Sequence, residues 1–215
     1  RIGTGNVVYC AYVKKNVFCK SEFFKIKLTK CKGEKFVMAQ QNIYDNEIFF
    51  ENFEQIRSNR INFNDLIETP ILLSMLPDLC NKKILDIGCG MGQHAKQYSD
   101  MGASAVLGID ISEKMLNYAR EHNSADNITY TQLALESLYE IQTKFDLVTS
   151  SLVFDYAEDL DKLMKSVYGL LADNSEFVFS MSHPMATAYD GTYPRYTRSE
   201  SGERLYANIN NYFVE

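Results

Sequence analysis

The segment KILDIGCGMGQHA, residues 83–95, constrains this chain more than any other stretch. An apolar run carrying one aspartate, Asp86, ends in glycines at every second position: Gly88, Gly90 and Gly92. That order predicts a buried strand over 83–87, a tight turn with positive φ angles, and a helix from near Gln93 to Gly102. A main chain without side chains at a strand's carboxyl end also leaves room for a ligand to lie against it. An aspartate inside the strand is costly to bury without a donor or cation beside it.

The rest of the chain repeats the alternation. Short apolar strands are expected at 105–110, 128–132, 145–150 and 176–181. Ser112 is placed to cap a helix over 113–122 that turns Met115, Leu116 and Ala119 inward. Leu160, Leu163, Met164, Val167, Leu170 and Leu171 recur at helical spacing and put one apolar stripe against a sheet. Asp173-Asn174 then reads as a turn. Before the sheet, 46–58 and 65–76 read as two helices, with Pro70 near the start of the second and Pro77 beyond it. Strands alternating with helices give an α/β class, a Rossmann-like doubly wound sheet, and a chain of 215 residues with 46% hydrophobic content can bury one such core. After Met181 the sequence becomes rich in Tyr, Ser, Asn and Gly, as expected of an irregular segment over the open end of the sheet.

The charge of −6 is unevenly spread: residues 1–37 hold nine Lys or Arg against two Glu. This basic segment is either an extension that binds an anionic partner or an appended leader before Met38, and its three irregularly spaced cysteines make no recognisable ligand set. Its β-prone pieces NVVYCAYV and FFKIKL are expected to pair as a hairpin. The division expected is therefore 1–37, lid helices over 38–82, a ligand-binding core over 83–182 and an irregular segment over 183–215. Five cysteines without a C-x-x-C pair suit a reducing, cytoplasmic setting and no metal site. No apolar run approaches the roughly 18 residues of a membrane span. The acidic main domain argues against a nucleic-acid partner.

Asp110 closes the second strand of the core 24 residues after Asp86, where a carboxylate can accept both hydroxyls of a ribose. Ala134-Leu135-Glu136 follows the third strand, beside the place an adenine would reach. A nicotinamide dinucleotide competes for such a site. Its fingerprint is G-x-G-x-x-G, whereas the spacing here is G-x-G-x-G, and Asp86 would repel a pyrophosphate. It would not repel a ligand carrying an ammonium and a sulfonium.

The successive segments LDIGCGMG, GIDIS, LALESL and FDLVTSSLVFDYAED resemble the ordered motifs of the class I S-adenosylmethionine-dependent methyltransferases. Residues 44–183 are similar to the bacterial small-molecule enzymes of the type 11 group. The resemblance implies that Asp86 and the loop of Gly88, Cys89, Gly90 and Gly92 hold the methionine part of the cofactor. It implies Asp110 at the ribose, Ile111 and Met115 against the adenine, Leu135 and Glu136 along the base, and Ser151 at the end of the fourth strand. Many relatives carry Asp where this chain has Ala134, so recognition of the adenine amino group passes to main chain or to Glu136. Tyr44 and Arg57, with Phe49, Phe50 and Phe53, are expected on a lid helix over the cofactor.

The reaction implied is in-line methyl transfer to an unidentified small molecule, with a protein acceptor or a cofactor-binding module without turnover as alternatives. Candidate bases follow the fourth and fifth strands: Asp155, Tyr156 and His183. Asp155 also reads as a helix N-terminal residue and His183 as a turn residue before Pro184. Enzymes of this group finish the sheet with a further helix and an antiparallel pair of strands. The 34 residues after Met181 cannot supply all of it, so the C-terminal strands are expected to be missing. The resulting edge is expected to lie open to self-association.

Overall fold

The computed structural model describes residues 8–15, 42–58, 62, 64–182 and 194–208. Among them, six strands form one sheet: β1 (Val8–Lys14), β2 (Lys83–Ile87), β3 (Ala105–Asp110), β4 (Ile128–Gln132), β5 (Phe145–Ser151) and β6 (Leu171–Ser182). The spatial order is β1-β6-β5-β2-β3-β4. β2 to β6 run parallel. The helices are α1 (Glu47–Ser58), α2 (Thr69–Ser74), α3 (Gln93–Asp100), α4 (Glu113–His122) and α5 (Leu160–Leu170). The fold is a Rossmann-like doubly wound sheet, as the alternation of strands and helices predicts. A separate pair, β7 (Tyr196–Arg198) and β8 (Arg204–Ala207), is antiparallel.

Side-chain alternation along β2 feeds two cores. Leu85 and Ile87 pack on one face with Leu163, Val167 and Leu170 of α5. Ile84 packs on the other with Leu72 of α2 and Ala95 and Tyr98 of α3. Each fully buried large side chain contributes about 1.5–3 kcal/mol relative to exposure, so the two faces lock the register of the central strand. Asp86, two residues along from Ile84, must therefore point to the α3 face.

The helix ends follow local chemistry. Ser112 accepts a hydrogen bond from the Met115 amide at 3.2 Å, as its sequence position predicts. α5 is capped by Asp159, which accepts from the Lys162 amide at 3.0 Å. Asp155, considered as a helix N-terminal residue, instead lies in a 3-10 turn over Phe154–Tyr156 and accepts the Ser182 amide at 3.1 Å. α1 begins where Asn46 accepts from the Phe49 amide, with Arg57 in its last turn.

Three expectations change. The helix expected over 65–76 is a π turn, Asn64–Glu68, followed by the short α2, and the break coincides with the burial of Glu68. The Asp173-Asn174 turn lies within β6 as a bulge: Asn174 has φ of 61° and the pairing with β5 shifts between Phe145 and Leu147. The hairpin expected between residues 8–14 and FFKIKL involves a segment outside the described residues. Residues 8–14 themselves pair antiparallel with β6, from Val8 opposite Ser182 to Lys14 opposite Glu176. The edge of β6 expected to be open is thereby covered. Lys15 continues the contact, donating its amide to the Ser175 carbonyl at 2.9 Å.

The glycines of the loop serve different ends. All three take positive φ: 69° at Gly88, 52° at Gly90 and 80° at Gly92. A Cβ at Gly88 would meet the Val153 side chain, with Cγ1 at 2.8 Å, and one at Gly92 would meet the Tyr130 hydroxyl and Ala119 Cβ, the latter at 2.9 Å. Protein, not ligand, fills those two spaces. A Cβ at Gly90 would meet nothing within 4 Å. Gly92→Ala combines a left-handed backbone with overpacking and is expected to cost on the order of 3 kcal/mol. The midpoint of a urea titration checks this.

Candidate active site

A cavity of about 640 Å³ opens over the carboxyl ends of β2, β3, β5 and β6. The topology puts it where strand order reverses about β2, with β3 and β4 on one side and β5 and β6 on the other. Its floor is the Gly88–Cys89–Gly90 turn, its near side Asp110, Ile111 and Met115, and its far side Ser151 to Val153 and Ser182.

Asp110 is held rigidly. One carboxylate oxygen accepts the Gly90 amide at 2.9 Å and the other accepts the Ser112 amide at 2.9 Å. Burial pushes its pKa up, and these amides act in the opposite direction. The residue thus ties the glycine loop to the start of α4 while keeping lone pairs for a ligand.

Asp86 is 2% exposed. One oxygen accepts the Thr149 hydroxyl at 3.1 Å, and the other is buried without a partner. Burial raises its pKa to about 7, the Thr149 bond opposes this, and the charges of Asp110 and Glu68 add to it. An orphaned carboxylate oxygen beside a cavity suits a cationic ligand.

A lid closes the opposite wall. Tyr44, in the 3-10 turn Ile43–Asp45, places its hydroxyl 3.1 Å from that of Tyr156. Burial, with the Tyr156 hydroxyl next in weight, pushes the Tyr44 pKa up. The ring packs edge-on against Phe49 and Phe53. Asp45 accepts the Ser112 hydroxyl at 2.6 Å and the Lys114 amide at 3.2 Å, so the lid is fastened to the start of α4. Arg57 lines the cavity with a buried Nη1 that has no hydrogen-bond partner, 3.7 Å from Asp65.

Of the residues expected at the site, Tyr44, Arg57, Asp86, Gly88, Cys89 and Gly90 line the cavity. So do Asp110, Ile111, Met115, Leu135, Glu136 and Ser151, and, on the far side, Asp155 and Tyr156. Gly92 does not; it packs on Tyr130 and α4. His183 lies outside the described residues. Cys89 is buried, and burial pushes its thiol up, away from reactivity. Sequence reasoning did not assign Asn64, Gln93 or His94 to the lining, nor Leu152, which has φ of 56°. No group of three or more metal-ligating side chains occurs among the described residues, and no described helix is long and apolar enough to cross a membrane.

The comparisons agree with this geometry. Residues 85–179 match the profile of the type 11 methyltransferase domain. The crystal structure of an S-adenosylmethionine-dependent methyltransferase from Mesorhizobium loti is 36% identical, with a TM-score of 0.60 over 67% of this chain and 65% of that one. The chain belongs to the class I S-adenosylmethionine-dependent methyltransferases, in the type 11 group. An uncharacterized protein of Haemophilus influenzae is 35% identical over 181 residues, covering 81% of this chain and 70% of that protein. A ubiquinone biosynthesis O-methyltransferase of Neisseria meningitidis is 32% identical over 116 residues, 52% of this chain. The methyltransferase described here spans about half the length of that relative, 49%.

The cofactor of the family is S-adenosylmethionine, and the residues present fit it. The open space at Gly90, the orphaned oxygen of Asp86 and the Nη1 of Arg57, which makes no hydrogen bond, are the features that a cationic nucleoside bearing a carboxylate would complete.

Proposed function

We propose that this methyltransferase moves a methyl group from S-adenosylmethionine to a small-molecule acceptor by in-line displacement. One observation carries the proposal: Asp110, braced by two amides, and Asp86, with an oxygen to spare, flank the one loop glycine that has open space above it. Bound there, the cofactor supplies a methyl group already activated by its sulfonium charge. Asp110 accepts the ribose hydroxyls, Ile111 and Met115 pack on the adenine, and Leu135 and Glu136 lie along it. Asp86 faces the cationic end, and Arg57 pairs with the carboxylate. Tyr44 and Phe53 exclude water, so that positioning, worth about 7–11 kcal/mol in favourable cases, does most of the catalysis.

An acceptor proton leaves to a base at the far side. Tyr156 and His183 are the candidates, while Asp155 already accepts the Ser182 amide. The relationship to an enzyme named as an O-methyltransferase favours an oxygen acceptor. The reaction is placed in the cytoplasm, on the cysteine usage, and on a small molecule rather than nucleic acid, on the acidic charge.

Calorimetric titration tests the donor. Saturable heat with S-adenosylmethionine and none with NAD is expected; preferential binding of NAD would defeat the proposal. A catechol and phenol panel, assayed by release of S-adenosylhomocysteine, then tests the oxygen acceptor. Binding without turnover on oxygen, nitrogen, thiol and protein acceptors alike would identify a binding module instead.

A further inference from the structure

Glu68 is fully buried, at 0% exposure, in the π turn before α2. No lysine or arginine among the described residues forms an ion pair with it. Its partners are hydroxyls. Ser151 Oγ donates to Oε1 at 2.8 Å, Ser180 Oγ donates to the same oxygen at 2.5 Å, and Thr69 Oγ1 reaches Oε2 at 3.3 Å. Ser180 Oγ itself accepts the Leu152 amide at 3.1 Å, so its own proton is committed to Glu68. Three donors and no facing acceptor are the surroundings of a charged carboxylate, and a buried anion without a cation is costly.

The place of this charge is informative. Ser151 ends β5 and lines the cavity, and Ser180 lies on β6. In the sheet order β6-β5-β2-β3, these tethers lie on the opposite side of β2 from Asp110 on β3. A donor whose ribose is anchored at Asp110 would extend from its 5′ sulfonium across the glycine loop toward the wall that Glu68 supports. Asp86, on β2 between them, would face the ammonium end of such a ligand.

We propose that the Glu68 carboxylate is a fixed counter-charge for the methylsulfonium of the bound donor, acting through the Ser151 wall. This inference rests on the donor assignment made above. Glu68 does not touch the donor; it is a positioning residue whose field favours the cationic form of the ligand over the neutral product left once the methyl has gone. Its hydroxyl tethers also hold Leu152 in its left-handed turn, so the charge and the acceptor-side wall are fixed by one network. Neighbouring His94, joined to Thr69 at 3.3 Å, has its pKa lowered by burial and supplies no compensating cation.

The test compares affinities for S-adenosylmethionine and S-adenosylhomocysteine, which differ in the sulfonium charge, in wild type and Glu68→Gln. The ratio of the two affinities is expected to shift about tenfold against S-adenosylmethionine in the variant, with S-adenosylhomocysteine binding changed less than twofold. Sinefungin, which carries an ammonium in place of the methylsulfonium, should weaken with S-adenosylmethionine. Equal losses for charged and neutral ligands, or an unchanged ratio, would overturn the proposal and leave Glu68 a structural residue. If Glu68→Gln is too unstable to titrate, Glu68→Asp keeps the charge but withdraws it by one methylene; its ratio should fall two- to threefold, and a wild-type ratio there overturns the proposal equally. Wild-type protein that binds neither ligand would instead defeat the donor assignment, and this inference with it.

Discussion

Asp110→Ala is expected to weaken S-adenosylmethionine binding by at least a hundredfold. The substitution removes a carboxylate that would accept two ribose hydroxyls, and hydrogen bonds to a charged acceptor contribute about 1.5–3 kcal/mol each. It also releases the Gly90 and Ser112 amides, so the loop and the start of α4 lose their common tie. Asp110→Asn keeps an acceptor and should lose about tenfold. Calorimetry beside a thermal melt separates the two contributions: the melt reports the lost amide partners, the titration the lost ribose contacts. Binding by Asp110→Ala within threefold of wild type would place the ribose elsewhere.

Acidity is expected to control the same site through Asp86. Its folded pKa of about 7 lies above the ordinary 3.8. Ionisation therefore opposes folding of the unliganded protein: stability from this group is complete below about pH 3.8 and is lost as pH rises through about 7. The full displacement corresponds to on the order of 4 kcal/mol. A cationic donor binds the ionised form, so its affinity should rise with pH, by up to tenfold per unit, and level off above about pH 7. Titrations between pH 5.5 and 8.5 should show the rise in wild type and a flat profile in Asp86→Asn. A wild-type profile that falls with pH would assign the cation contact to another residue.

These expectations rest on a core that local patterns specify well. β2, β3, β4 and α4 occupy the residues expected of them, because each element carries a local signal: an apolar run ending at Gly88 for β2 and at Asp110 for β3, a β-prone run for β4, and a capping serine for α4. This side of the cavity was legible for the same reason, since Asp86, Gly90 and Asp110 lie within or just beyond such elements. Glu68 was not. Its neighbours read as one helix through 65–76, and its burial is decided by Ser151 and Ser180, which are 83 and 112 positions away. Gly88 and Gly92 carried a signal with two meanings. A bare main chain was expected for ligand approach, yet Val153 and Tyr130 occupy those spaces, and only tertiary packing distinguishes such positions from Gly90. Asp155 shows the limit for caps, because two aspartates precede α5 and only the one whose side chain reaches the Lys162 amide serves.

The antiparallel seat of β1 on β6 bears on the order in which the molecule assembles. Val8 meets Ser182, so this ladder joins segments far apart in sequence and carries a large loop-closure entropy. Its partner strand must already be docked on β5 before the register can be read. β1 should therefore be among the last elements to acquire protection from hydrogen exchange during refolding. Until it arrives, β6 presents unsatisfied main-chain groups, and the window for intermolecular strand exchange is set by the rate of that final step.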